Sequence, residues 1–330
     1  MSSKKEAYLC LSAVVSARET KLLTNEKAER MLDAPGFEDA AKLLSECGYP
    51  DMSRSDAAAV EECLDQHREE VFDEMSKACP DKSLVDIFRL RYDYHNAKAI
   101  LKSEAMGLDA KRLLSGSGRV SGEKLMEAYQ EEKTVEKLEK LGEAMAEAKS
   151  VLARTANPQL SDFVLDKAYF DELSAIADEL DNSFVRGYVT ALIDAANLKS
   201  TVRTLRLGKG QEFLRQVLIP GGSVDPDRLE AAGDRESLAA PFACTLLEKA
   251  AQLGGEALSG GSMTAFELAC DNAVNAYLKN AKLICCGCEP VLGYLSAVEG
   301  EITAVRMILT GRLAGIAPQV IRERLRDLYA

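Results

Sequence analysis

The chain has 330 residues, 47% hydrophobic, 28% charged and 6% aromatic, with no Trp and a formal charge of −12. This length can bury one large core or two to three smaller ones, and the composition excludes bulk disorder, a collagen-like chain and a disulfide scaffold. The acidic balance excludes a general nucleic-acid binder, whose phosphate contacts need clustered Lys and Arg. Nine cysteines without regular spacing read as reduced thiols in a cytosolic setting.

Near the N-terminus, Lys4 and Lys5 precede the apolar stretch Ala7 to Ala17, which has the outline of a secretory signal. The helical pattern continues through Leu22, Leu23 and Met31, so the segment reads as helix of the folded chain. In Val60 to Met75 the apolar Val60, Cys63, Leu64, Val71, Phe72 and Met75 recur at helical spacing, with Glu61, Glu62, Arg68 and Glu69 between them. Helix breaks are expected at Cys79-Pro80, Gly116 to Gly122, Asn157-Pro158, Pro220-Gly221-Gly222 and Gly254 to Ser262. Glu123 to Lys149 carries opposite charges four apart, such as Glu136 and Lys140, and predicts a solvated helix or helix pair. The run Leu283 to Val298 contains Glu289, Pro290 and two Gly and is too short and broken to span a bilayer. Strand alternation is almost absent, and the fold class is all-α.

An internal repeat organises this helical sequence. Asp93, Asn96, Lys98, Leu101, Lys102 and Gly107 recur 101 residues later as Asp194, Asn197, Lys199, Val202, Arg203 and Gly208. A weaker third copy runs Glu301, Ala304, Arg306, Leu309 and Gly315. An acid is followed each time by a cation at +5, an aliphatic at +8 and Gly at +14. A second register precedes it: Asp65, Asp166 and Asp271 stand 28, 28 and 30 residues before the three acids. Three related helical-bundle units are expected, spanning 1–115, 116–222 and 223–330. On a helix the acid and its Asn share a face, the +8 aliphatic returns to it, and the Gly fits a left-handed helix end.

Reactive chemistry finds little support. Cys285-Cys286-Gly-Cys288 lacks the second ligand pair of a structural zinc site, and Cys63 with His67 at i, i+4 leaves His95 as the only other His. No feature activates a cysteine nucleophile. Gly208-Lys209-Gly210 follows a helix rather than a strand and does not fit a phosphate loop. The paired acids Glu69-Glu70, Glu131-Glu132 and Asp171-Glu172 read as solvated faces. No catalytic residue, cofactor or metal is expected. A solenoid adaptor or scaffold is the alternative function, although its usual period of about 30 to 50 residues is shorter than the one here.

The repeated D-x-x-N-x-K helix ending in Gly, the last copy preceded by Val291-Leu-Gly-Tyr294-Leu and carrying Glu299-x-Glu301-Ile302, the opening Ala17-Arg18-Glu19 with Leu22-Leu23, and the link Leu218-Ile219-Pro220-Gly221-Gly222 occur in an order that resembles the C subunit of bacterial and archaeal V/A-type rotary ATPases. Its eukaryotic V-type counterpart is called the d subunit. Two departures stand out: Ala304 where the family usually has Asn, and the Gly-rich stretch Gly233 to Ser262, which matches poorly. The resemblance implies a non-catalytic central-stalk rotor part, one copy per complex. It implies three units around a pseudo-threefold axis, forming a funnel between the central shaft and the membrane rotor ring, at the inner face of the cell membrane.

Charge is distributed unevenly along this plan. Residues 85 to 112 hold six Lys and Arg against four acids, residues 186 to 215 six against two, and residues 301 to 330 five against three, whereas residues 121 to 181 hold seven against fifteen. The positive segments make Lys98, Lys102, Lys199, Arg203, Arg206, Arg306 and Arg312 candidate contacts for an acidic partner surface. The competing expectation is that they serve helix C-termini and pairs within the chain.

Overall fold

A computed structural model describes residues 2–232 and 235–330, and among them the regular structure is helical throughout. Gly233, where the poorly matching stretch begins, lies outside the described residues. The N-terminal helices are α1 (Ser2–Ala7), α2 (Leu9–Glu19), α3 (Asn25–Asp33) and α4 (Phe37–Leu43). They are followed by α5 (Ala57–Ala78), α6 (Ser83–Met106), α7 (Gly122–Gln130), α8 (Glu139–Thr155), α9 (Pro158–Glu179) and α10 (Ser183–Arg206). The remainder comprises α11 (Gln211–Val217), α12 (Pro226–Glu230), α13 (Arg235–Ala239), α14 (Glu248–Leu258), α15 (Met263–Lys279), α16 (Cys288–Leu313) and α17 (Pro318–Arg322).

The chain packs as two compact units, one of Met1–Val71, Ala78–Pro80 and Thr190–Ala330, the other of Phe72–Lys77 and Asp81–Val189. In the second unit α6 packs on α7, α8 and α9, and α8 runs against α9. Its core is aromatic at one point, where Phe72 lies 6.4 Å from both Phe88 and Tyr92 and Phe88 stacks 6.3 Å from Tyr188. In the first unit α16 is the central element, packed on α2, α3, α4, α15 and α17. It is apolar nearly all round, as a helix enclosed by neighbours must be.

Most expected breaks fall between helices: Cys79-Pro80 separates α5 from α6, and Asn157 caps α9 by accepting the Gln159 N–H ahead of Pro158 at the first turn. The break expected from Gly254 begins later, because α14 continues to Leu258. A Cβ on Gly254 would meet Phe266 and Val202 at 3.0 Å, so this glycine permits close helix packing instead of ending a helix. The segment from Glu123 to Lys149 forms a helix pair, α7 and α8, with Glu136 in the connection, so the Glu136–Lys140 helical pairing is not formed. No helix among the described residues is long and apolar enough to cross a membrane.

Candidate functional site: ties between the repeated segments

The three motif copies occupy α6, α10 and α16, and all three end in one backbone pattern. The Gly107 N–H donates to Glu104 O and the Leu108 N–H to Ser103 O; Gly208 and Lys209 donate to Leu205 and Thr204, and Gly315 and Ile316 to Arg312 and Gly311. These are Schellman caps, which place the residue after the helix in the left-handed region. The φ values of Gly107, Gly208 and Gly315 are +66°, +64° and +70°, which explains the Gly at +14. The +8 aliphatics Leu101, Val202 and Leu309 are buried.

Each motif acid is buried and holds the backbone just before the N-cap of a helix near the start of the next repeat in cyclic order. Asp93 accepts the Arg119 N–H at 3.0 Å and Arg119 Nε at 2.6 Å, two residues before the Ser121 cap of α7. Asp194 accepts the Val224 N–H at 3.2 Å and the Ser223 hydroxyl at 2.5 Å, beside the Asp225 cap of α12. Glu301 accepts the Leu23 N–H at 2.5 Å and the Tyr49 hydroxyl at 2.8 Å, beside the Thr24 cap of α3. The turn must come close to the carboxylate, and a Cβ on Gly118 or Gly222 would run into Asp93 or Asp194.

Burial pushes the carboxyls of Asp194 and Glu301 up, and that of Asp93 up to about 6. Arg119 opposes the shift at Asp93, but this single guanidinium also serves buried Glu172, donating from Nη1 to Oε1 at 2.7 Å. Tyr94 donates to the other oxygen of Glu172 at 3.0 Å. Glu172 is therefore not the solvated acid expected from Asp171-Glu172, since α9 buries it among hydrogen-bond donors that satisfy it.

The motif Asn forms a second grip on the same linkers. Asn96 accepts the Ser115 N–H at 2.8 Å and donates to Ser115 O at 2.9 Å; Asn197 does the same to Ile219 at 2.9 and 2.7 Å. This two-bond clamp mimics a backbone pairing partner. The third copy carries Ala304 at this position and so makes no such clamp.

The cations at +5 reach the second register. Lys98 lies 2.6 Å from Asp166, Lys199 pairs with Asp271, and Arg306 lies 3.7 Å from Asp65. A row of acids four residues before each of those Asp completes the pattern: Lys102 meets Asp162 at 2.7 Å, Arg203 meets Glu267 at 2.6 Å, and Arg306 meets Glu61 at 2.7 Å. The order is cyclic, with the first copy tied to the second, the second to the third and the third to the first. Each contact lies inside one of the two compact units.

Of the seven candidate partner contacts, five are thus engaged in ion pairs within the chain, and Arg312 donates to Ala34 O at 2.5 Å. Arg206 is exposed and makes no ion pair among the described residues. Glu61, Asp162 and Glu267 were not read from sequence as partners of the motif cations, although aligning the copies on their Asp shows an acid at −4 in all three. Arg68, one of the charged residues between the apolar positions of Val60 to Met75, is 3% exposed and donates from Nε to Glu299 at 2.9 Å and from Nη1 to Asp65 at 2.5 Å. A guanidinium is tolerated there because two carboxylates compensate its desolvation. His95 Nε2 lies 3.0 Å from Leu113 O, and the His67 ring packs 4.5 Å from that of Tyr49. Among the described residues, no group of three His, Cys, Asp or Glu is placed to hold a metal ion.

A sequence model of the ATP synthase (C/AC39) subunit family matches residues 11–324, which contain every tie described above. The chain belongs to this family. It is 23% identical over 329 residues to the C subunit of the V-type sodium ATPase of Enterococcus hirae, covering 98% of this chain and 99% of that protein. It is 25% identical to the C subunit of the A-type ATP synthase of Methanocaldococcus jannaschii, over 97% of this chain and 86% of that protein. It is also 25% identical to the C subunit of the V-type ATP synthase of Thermus thermophilus, over 78% of this chain and 88% of that protein. Within this C/AC39 member, the motif that carried the resemblance coincides with buried acids, linker clamps and ion pairs that bind one helical segment to the next.

Proposed function

We propose that the chain is a non-catalytic central-stalk subunit of a V/A-type ion-translocating ATPase or ATP synthase, a socket between the central shaft and the membrane rotor ring. In this reading it sits at the inner face of the cell membrane through the complex, in one copy. The three sequence repeats act as units 1–115, 116–222 and 223–330 around a pseudo-threefold axis, in a funnel that passes torque between shaft and ring. The observation that carries the proposal is the cyclic order of the ties, in which the third copy is bound back to the first. A part that transmits torque must resist shear between its segments, and packed helices joined by buried hydrogen bonds transmit strain where loose junctions would absorb it.

Reconstitution tests this function. A rotary ATPase stripped of this protein is expected to hydrolyse ATP without driving ions across vesicles, and adding back the purified chain restores coupled transport. Transport that is fully coupled without the chain would refute the socket role. Turnover of ATP by the purified chain alone would refute the non-catalytic one.

A further inference from the structure

The third junction differs from the other two in lacking both a covalent linker and a motif Asn, since Ala304 stands at that position. The irregular C-terminal tail after α17 lies at this junction. Arg326 Nε donates to Asp271 Oδ2 at 3.0 Å, on the carboxylate whose other oxygen takes Lys199. The Asp327 N–H donates to Asn272 Oδ1 at 3.0 Å and Asn275 returns a bond to Asp327 O at 3.2 Å, which fixes the tail along α15. The Leu328 N–H then donates to Asn25 Oδ1 at 3.2 Å, at the first residue of α3. Asn25 is two residues beyond Leu23, whose N–H is held by Glu301.

The end of the tail is anchored by apolar burial as well. Leu328 and Tyr329 are 5% and 8% exposed. Tyr329 lies so close over α16 that a Cβ on Gly293 would meet its hydroxyl oxygen at 2.7 Å, and Lys282 Nζ sits 4.6 Å from its ring centroid. Two further bonds from Arg322, to Glu29 at 2.8 Å and Asp33 at 3.0 Å, hold the preceding helix to α3.

We propose that residues 326–329 are a clasp that does, at the junction of the third repeat with the first, what the Asn96 and Asn197 clamps do at the other two. The clasp holds the lead-in to α3 against α15 and α16 without a covalent link, and it sets how readily that one junction opens. The inference rests on the repeat reading and on contacts within the first compact unit. It is tested on the isolated chain, so failure of the chain to join a rotary complex leaves the result unaffected.

Hydrogen–deuterium exchange of the full chain and of a chain ending at Glu323 provides the test. Loss of these hydrogen bonds is expected to speed exchange of the amides from Leu22 to Leu32 by at least about tenfold, with α8 and α9 unchanged. Asn96→Ala and Asn197→Ala are expected to produce the corresponding local increase near Ser115 and Ile219. If the shortened chain fails to fold, Arg326→Gln combined with Asn25→Ala in the full chain reads the same segment. Unchanged exchange from Leu22 to Leu32, or an equal rise throughout the chain, overturns the clasp.

Discussion

Arg306 and Glu61 stand 245 residues apart and form a two-pronged ion pair, Nε to Oε2 at 2.7 Å and to Oε1 at 3.0 Å. The same guanidinium lies 3.7 Å from Asp65, which also accepts from Arg68 Nη1, so the +5 Arg reaches both acids that the +5 and +9 cations divide between them in the other two copies. The reason lies at +9, where Lys102 and Arg203 are followed in register by Thr310. Arg306→Ala is expected to lower stability by about 1 kcal/mol, the upper range for a partly exposed network. Arg306→Lys combined with Thr310→Lys recreates the two-cation arrangement and should recover most of that loss, read as the midpoint of urea unfolding. No recovery in the double variant would mean that the guanidinium acts through packing instead of charge.

The caps yield a test of backbone conformation. Gly208 has open space where a Cβ would be, so steric crowding is absent and only its φ of +64° opposes a side chain. Gly208→Ala is therefore expected to cost about 1 kcal/mol, and Gly208→Asn less, because Asn tolerates the left-handed region. Equal losses for the two variants, measured by thermal unfolding, would contradict this account.

Much of this arrangement was legible in the sequence, and the gaps have physical causes. The acid, cation and Gly spacing located α6, α10 and α16 and their caps because helix geometry ties sequence interval to face. Charge identity alone could not separate buried Arg68 and Glu172 from solvated residues, since burial of a charge depends on partners such as Glu299 and Arg119 that lie far away in sequence. The same limit hid the destination of the cations: a Lys at +5 reads equally well as a free surface charge or as one half of the Lys98–Asp166 pair. Gly254 misled for a different reason, because a glycine admitted by close helix packing looks in sequence like one that ends a helix.

The buried acids predict a pH dependence of definite sign. The Asp93 carboxyl titrates at about 6 in the fold, above the ordinary Asp value of 3.8, so the folded chain binds its proton more readily than the unfolded chain does. Its contribution to stability is fully present below the unfolded value and is lost as pH rises through about 6. Asp93→Asn removes this titration. The destabilisation it causes should be smaller at about pH 7 than at about pH 4.5, by roughly 2 kcal/mol for about 1.5 pH units at about 1.4 kcal/mol each. A difference of opposite sign in urea unfolding at the two pH values would show that Arg119 outweighs burial.

Arg206 and Arg203 lie three residues apart in the last turn of α10 but differ in what they are free to do. Arg203 donates to Glu267 from Nε at 3.1 Å and from Nη2 at 2.6 Å, whereas Arg206 is exposed and unpaired among the described residues. An exposed, unpaired cation mainly steers encounter, so its effect appears in association rate and is screened by salt. If the positive segments guide assembly with an acidic shaft or ring surface, Arg206→Glu should slow reassembly several-fold at low ionic strength, with the difference fading toward about 1 M salt. Arg203→Glu sets two acids against each other at Glu267, so it should also lower the unfolding midpoint of the isolated chain, which Arg206→Glu should not. Stopped-flow association with the shaft and with the ring, alongside circular dichroism of each variant, separates the two effects. Association that is unchanged by Arg206→Glu at every salt concentration would assign the cations of α10 wholly to the helix end and to the tie with α15.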